Sequence, residues 1–257
     1  MQTENLLAFM HIYKCGGTTF NWVLQRAFPE SVLYCENSPP VIRHVEKDQY
    51  DAYRENTDIA FAALSSHLIR YNALSGFAFV VTILRDPAKR LLSAFNYDVA
   101  RGDYSGDLDS YIECRVNVMS WTLGNDFLSE IHSGRIFCGI LEYFDLSMVS
   151  LEHLFAIHGH EVDLAAPKAL NAGKERIKDQ GNLATDFSPE QLERIQYLNH
   201  ADYDLYSSQL TKLKGFSMAI PDFNNKLNDY QIRKEKAIAS IPGIKSFGQG
   251  PRHFTFI

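Results

Sequence analysis

The sequence predicts an α/β fold, with helices covering both faces of a mainly parallel sheet. Three observations carry this. Short β-prone apolar runs alternate with longer amphipathic segments, the pattern of a sheet whose crossovers are helices. The run Phe77-Ala78-Phe79-Val80-Val81-Thr82-Ile83-Leu84 is continuously β-prone, which suits a strand buried on both faces. Two turns, one rich in glycine and one bearing arginine, fall where a strand gives way to a helix. Open α/β sheets bind their ligands at such strand ends.

The elements follow in order. Leu6–Ile12 is the first strand and Thr18–Phe28 the first helix, with Pro29 helping to end it. Residues 30–56 hold Pro39-Pro40 and many charges, so a loop-rich excursion is expected. Ile59–Ser65 is short and apolar, a buried strand. After the strand Phe77–Leu84, Pro87 opens a helix to Ala100, where its missing N–H costs nothing. Leu91, Leu92 and Phe95 form the packing face of that helix. Gly102–Asp107 is polar and predicts a mobile loop, Leu108–Leu123 a helix, Ile136–Leu141 a strand and Ser147–Ile157 a helix. Ser188-Pro189-Glu190-Gln191 has strong helix-start chemistry: a serine cap, proline in the first position and an acid in the first turn. A further helix is expected over Ala201–Leu213, and residues from Gly215 onward show no clear periodicity. One domain over residues 1–257 is expected, with its core in 1–213 and an extension in 214–257.

Composition narrows the function. Apolar residues make up 46% and charged residues 22%, the balance of a soluble globular chain. The net charge of -6 argues against a general nucleic-acid binder. A local basic cleft built from Lys14, Arg70, Arg85, Lys89 and Arg90 is compatible with that charge. The four cysteines, Cys15, Cys35, Cys114 and Cys138, lie apart with no zinc spacing, so free thiols in a reducing compartment are expected. No leader or membrane anchor is visible in the sequence, and a cytoplasmic, bacterial-type protein is expected.

The segment His11-Ile12-Tyr13-Lys14-Cys15-Gly16-Gly17-Thr18-Thr19 carries the clearest chemistry. Glycines let the backbone approach an anion closely, hydroxyls donate, and the first N–H groups of a helix point outward without partners. Lys14 precedes the glycines, whereas the nucleoside triphosphate loop G-x-x-x-x-G-K-[ST] has the reverse order and is absent here.

This segment resembles the 5′-phosphosulfate loop, H-I-P-K-[TC]-G-G-T-[ST], of sulfotransferases that use 3′-phosphoadenosine 5′-phosphosulfate (PAPS). The second turn, Leu84-Arg85-Asp86-Pro87-Ala88-Lys89-Arg90-Leu91-Leu92-Ser93, resembles their 3′-phosphate motif, R-D-P followed by x-x-R-x-x-S. The likeness is nearest to the carbohydrate branch, including the uronyl and heparan 2-O-sulfotransferases. It is clear over roughly the first hundred residues. One departure stands inside the loop: Tyr13 replaces proline, so the entry to Lys14 loses a fixed φ.

The resemblance implies a P-loop-like three-layer fold and sulfuryl transfer from PAPS to a hydroxyl, with a carbohydrate as the expected acceptor and no metal required. It implies that Lys14 stabilises the departing adenosine 3′,5′-bisphosphate. Cys15, Gly16, Gly17, Thr18 and Thr19 would cradle the 5′ side, and Arg85 and Ser93 the 3′-phosphate. Ser65-Ser66-His67-Leu68-Ile69-Arg70-Tyr71 resembles the G-H-x-x-[FY] region that supplies a catalytic base, making His67 the candidate. Cys15 sits where cations and a helix start lower a thiol pKa, yet the family places cysteine there without using it as a nucleophile. Arg90 is left between phosphate and Asp86 at i,i+4 spacing. Asn117–Gly124 faintly resembles N-x-Q-[TS]-R-x-L-x-G, with Trp121 in place of the arginine, and Trp121 is read as an aromatic packed on a helix. Asp202-Tyr203-Asp204-Leu205-Tyr206 resembles the family's D-x-x-L-Y helix and is read as architecture. Two rival readings stay open: a phosphotransferase using a nucleoside triphosphate, and a non-catalytic binding protein on the same fold.

Overall fold

The computed structural model describes residues 6–29, 32–35, 62–66, 74, 76–166, 183–239 and 253–254. Among these residues six strands form one sheet: β1 (Leu7–Met10), β2 (Val32–Cys35), β3 (Ala63–Ser66), β4 (Phe79–Leu84), β5 (Ile136–Ile140) and β6 (His253–Phe254). Every pairing is parallel, in the order β5-β4-β1-β3-β2-β6. β1 lies at the centre, Leu7 registered with Ala63 on one side and Phe79 on the other. β1 and β3 bury every residue, as a parallel strand sandwiched between helix layers must.

Alternation along β1 and β4 divides the core into two layers. Leu7, Phe9, Val81 and Ile83 face helices α1 (Gly17–Ala27) and α5 (Phe144–Ile157), through Phe20, Val23, Leu24, Met148, Leu151 and Phe155. Ala8, Met10, Val80 and Leu84 face α4 (Val118–Ser133) and α7 (His200–Ala219), through Met119, Leu123, Phe127, Leu205 and Leu213. A third cluster joins α2 (Pro87–Arg101), α3 (Leu108–Cys114) and α6 (Pro189–Leu198) around Leu91, Phe95, Tyr111 and Ile195. The expected three-layer architecture with its parallel sheet is therefore present.

The helix starts follow local chemistry. Asp86 accepts from the Lys89 N–H with Pro87 beside it, and Ser188 and Gln191 form a reciprocal capping box. Three elements differ from expectation. The excursion after Pro29 contains β2, which pairs with both β3 and β6. The single helix expected over Leu108–Leu123 is two, α3 and α4, because Asn117 takes φ 47° and breaks the run. The segment from Gly215 completes α7 and then forms α8 (Phe223–Ala239), whose Tyr230 is fully buried against α5 and the 164–166 strap.

Candidate active site

The Lys14 loop and the Arg85 turn both emerge from the carboxyl edge of the sheet, at adjacent strands. β1 is the point where the chain order reverses, with β3 on one flank and β4 on the other, the position at which open α/β sheets bind ligands. The two turns touch: Arg85 Nη1 donates to the Lys14 carbonyl at 3.1 Å.

The loop is built on two left-handed residues, Lys14 at φ 64° and Gly16 at φ 81°. Gly16 also lies under Leu141, whose Cδ1 is 2.5 Å from where a Cβ would stand. Gly17 is required by space: a Cβ there would overlap the His11 ring, 1.7 Å from Nε2. Helix α1 begins without a side-chain cap or an acid in its first turn, the kind of helix start whose leading N–H groups can receive an anion. Thr18 is exposed at that helix start, whereas Thr19 is buried.

Three cations surround the loop. Lys14 is partly buried, and its Nζ lies 3.9 Å from the centroid of the Tyr97 ring, a cation–π contact. Burial, then the neighbouring Arg85 guanidinium, holds the Lys14 ammonium below the usual lysine range, with Asp98 pulling the other way. Arg90 is 1% exposed, and its Nε and Nη2 have no hydrogen-bond partner among the described residues. It does not pair with Asp86, whose carboxylate caps the Lys89 N–H. The fields of Arg90 and Arg85 act on Cys15, but burial dominates and pushes that thiol up to about 12. The lowered thiol pKa expected from the sequence is thereby reversed. A glycine cradle, an uncapped helix start, a depressed lysine and an orphaned buried guanidinium together fit a polyanionic ligand.

Ser93 is half-buried, one helical turn before Tyr97 on α2. Residues at i,i+4 share a face, so Ser93 lies on the side of α2 that meets Lys14. His67 and Arg70 fall outside the described residues; β3, which leads to His67, ends beside β1, where Ser66 O accepts the His11 N–H at 2.7 Å. Lys89 is exposed. Cys15, Cys114 and Cys138 are free thiols, and Cys35 falls where no side chain is described.

Several residues unassigned from sequence take part. Glu142, in the short turn after β5, accepts the Asp86 N–H at 3.2 Å and the Tyr206 hydroxyl at 3.2 Å, fixing the Arg85 turn to α7. Asp98 accepts hydroxyls from Tyr13 and Tyr111. Asp202 is fully buried and accepts the Met119 and Ser120 N–H groups, so the D-x-x-L-Y segment caps α4 from a distance. Trp121 is 59% exposed rather than packed away on its helix.

Fold and site define an α/β protein whose glycine loop and arginine turn meet at the switch point of a parallel sheet. Residues 1–105 match the model described as the sulfotransferase family. Among solved structures, a sulfotransferase from Alicyclobacillus acidocaldarius is similar at 11% identity, over 79% of this chain and 94% of that one, with a TM-score of 0.47. Mouse sulfotransferase SULT7A1 complexed with PAP is similar at 13% identity, over 88% of this chain and 89% of that one, with a TM-score of 0.43. No curated protein sequence matches the chain. Among the described residues no helix is long and apolar enough to cross a membrane, and no group of three or more His, Cys, Asp and Glu is placed to hold a metal ion.

Proposed function

We propose that the protein transfers a sulfuryl group from PAPS to an acceptor hydroxyl, with a carbohydrate as the acceptor class. The observation that carries this reading is the contact of the two motif turns, Arg85 Nη1 on the Lys14 carbonyl. It supports one ligand spanning both. In this reading the first N–H groups of α1 and the Thr18 and Thr19 hydroxyls hold the 5′-phosphate. Lys14 neutralises charge on the bridging oxygen as the S–O bond breaks. Arg85 takes the 3′-phosphate with a two-pronged fork, and Ser93 adds a hydroxyl. His67 accepts the acceptor O–H proton as the new O–S bond forms, a role that typically contributes about 10²–10⁴-fold in rate. Cys15 contributes its backbone alone.

Calorimetry with adenosine 3′,5′-bisphosphate tests the reading directly. The intact chain binds without added metal, and Lys14→Ala and Arg85→Ala each abolish binding. His67→Ala keeps nucleotide affinity and loses transfer to a panel of glycans. Unchanged affinity in both cation variants overturns the proposal. Magnesium-dependent ATP turnover would replace it with phosphoryl transfer, and nucleotide binding with no transfer to any acceptor would reduce it to a binding function.

A further inference from the structure

Tyr13 stands where the resembling family carries proline, and the structure shows what tyrosine does there. Its hydroxyl donates to Asp98 Oδ1 at 2.5 Å, and its ring meets Tyr97 edge-on at 5.9 Å. Asp98 is 7% exposed and takes the Tyr111 hydroxyl on its other oxygen, also at 2.5 Å, with the Arg115 guanidinium at 3.8 Å. The next residue, Lys14, sits at φ 64° and lays its ammonium on Tyr97, the neighbour of Asp98 in α2. Two successive loop residues are thus fastened to two successive residues of one helix. Proline would fix the loop through its own ring. Tyrosine leaves φ free, so a long-range bond must do the fixing, and that bond ends on the helix that carries Ser93.

We infer that Tyr13, held by Asp98, is the positioning residue for Lys14: a hydrogen-bonded strut between the phosphate loop and α2 that replaces the proline. The strut holds Lys14 where its ammonium lies on the Tyr97 ring of α2. It also makes the loop's order depend on α2, a coupling that a proline loop lacks. The inference rests on the reading of Lys14 as the cation at the donor phosphate, and the test separates the two.

The test compares the parent chain with Tyr13→Phe, Asp98→Asn, Tyr13→Pro and the Tyr13→Pro/Asp98→Asn pair. Hydrogen–deuterium exchange of the peptide spanning residues 11–19 reports loop order without any ligand. Tyr13→Phe accelerates exchange there about three- to tenfold, the worth of one net hydrogen bond. Tyr13→Pro restores protection, and Asp98→Asn loosens the loop in the tyrosine background but not in the proline background. The loss of the Tyr111 contact in Asp98→Asn lowers thermal stability in both backgrounds, so a purely structural role would show no rescue. Affinity for adenosine 3′,5′-bisphosphate follows the same order, about tenfold weaker in Tyr13→Phe and recovered in Tyr13→Pro. Equal exchange in the parent protein and Tyr13→Phe overturns the strut, even where nucleotide binds and Lys14→Ala abolishes it. Faster exchange in Tyr13→Phe with proline rescue, in a protein that binds no nucleotide, keeps the strut and overturns the nucleotide reading.

Discussion

At the scale of single residues, environment decides which nominal nucleophile or cation is active. Cys15 lies among positive charges, yet its thiol is driven up to about 12 because burial outweighs those fields. Cys138 is likewise buried and pushed up to about 12. Near neutral pH both stay protonated, so iodoacetamide labels exposed Cys114 and leaves Cys15 and Cys138 unmodified in the folded protein. Lys14 shifts downward, again through burial first and Arg85 second. Only its protonated form attracts phosphate. On the proposed function, nucleotide affinity therefore stays level below the free-state pKa of Lys14 and falls as pH rises through it, at a lower pH than an ordinary lysine would give. Lys14→Arg removes that alkaline fall, because a guanidinium stays charged throughout the range; a fall that persists in the arginine variant assigns it elsewhere. These residues were legible because their chemistry is local: two glycines, two threonines and an R-D-P turn specify backbone shape on their own. Asp98 and Glu142 were not, since nothing near them in sequence names Tyr13 or Asp86 as their partners.

Among the elements, helix ends set the geometry. Helix α4 starts at Asn117, which has no side-chain cap bond to its own helix. Asp202 supplies it from α7; across the same junction the Asn117 N–H donates to Asn199 Oδ1, and Asn117 Oδ1 accepts the Asp202 N–H. Asp202→Ala leaves one buried and one partly buried N–H group unpaired and costs about 2–3 kcal/mol in chemical denaturation. A loss well under that range shows that water replaces the carboxylate. The sequence displays this junction only as two separate motifs, since a cap supplied by another helix leaves no local signature. Helix α8 was missed for another reason. Phe223, Leu227, Tyr230 and Ala237 keep the spacing of one helix face, but the position between the last two is Lys234, bonded to Asp145. A lysine inside an apolar stripe hides the period. β2 escaped because four residues amid charges and prolines are too short to declare themselves without their neighbour β3.

For the molecule as a whole, the alternation of strands and helices was enough to give the layered parallel architecture. The strand order needed long-range pairing, and the place of β6 at the far edge lay beyond any local pattern. That topology has a kinetic side. The proposed anion site is complete only when Arg85 reaches the Lys14 carbonyl across 71 positions of chain, after β1 has found both β3 and β4. Helices form locally and early, while distant parallel pairings must first overcome loop-closure entropy. On dilution from denaturant, far-ultraviolet ellipticity returns before nucleotide binding does. On the proposed reading, the capacity to hold a ligand is thus a late acquisition of each newly folded molecule, and the interval between the two signals measures how long a chain spends structured but inert.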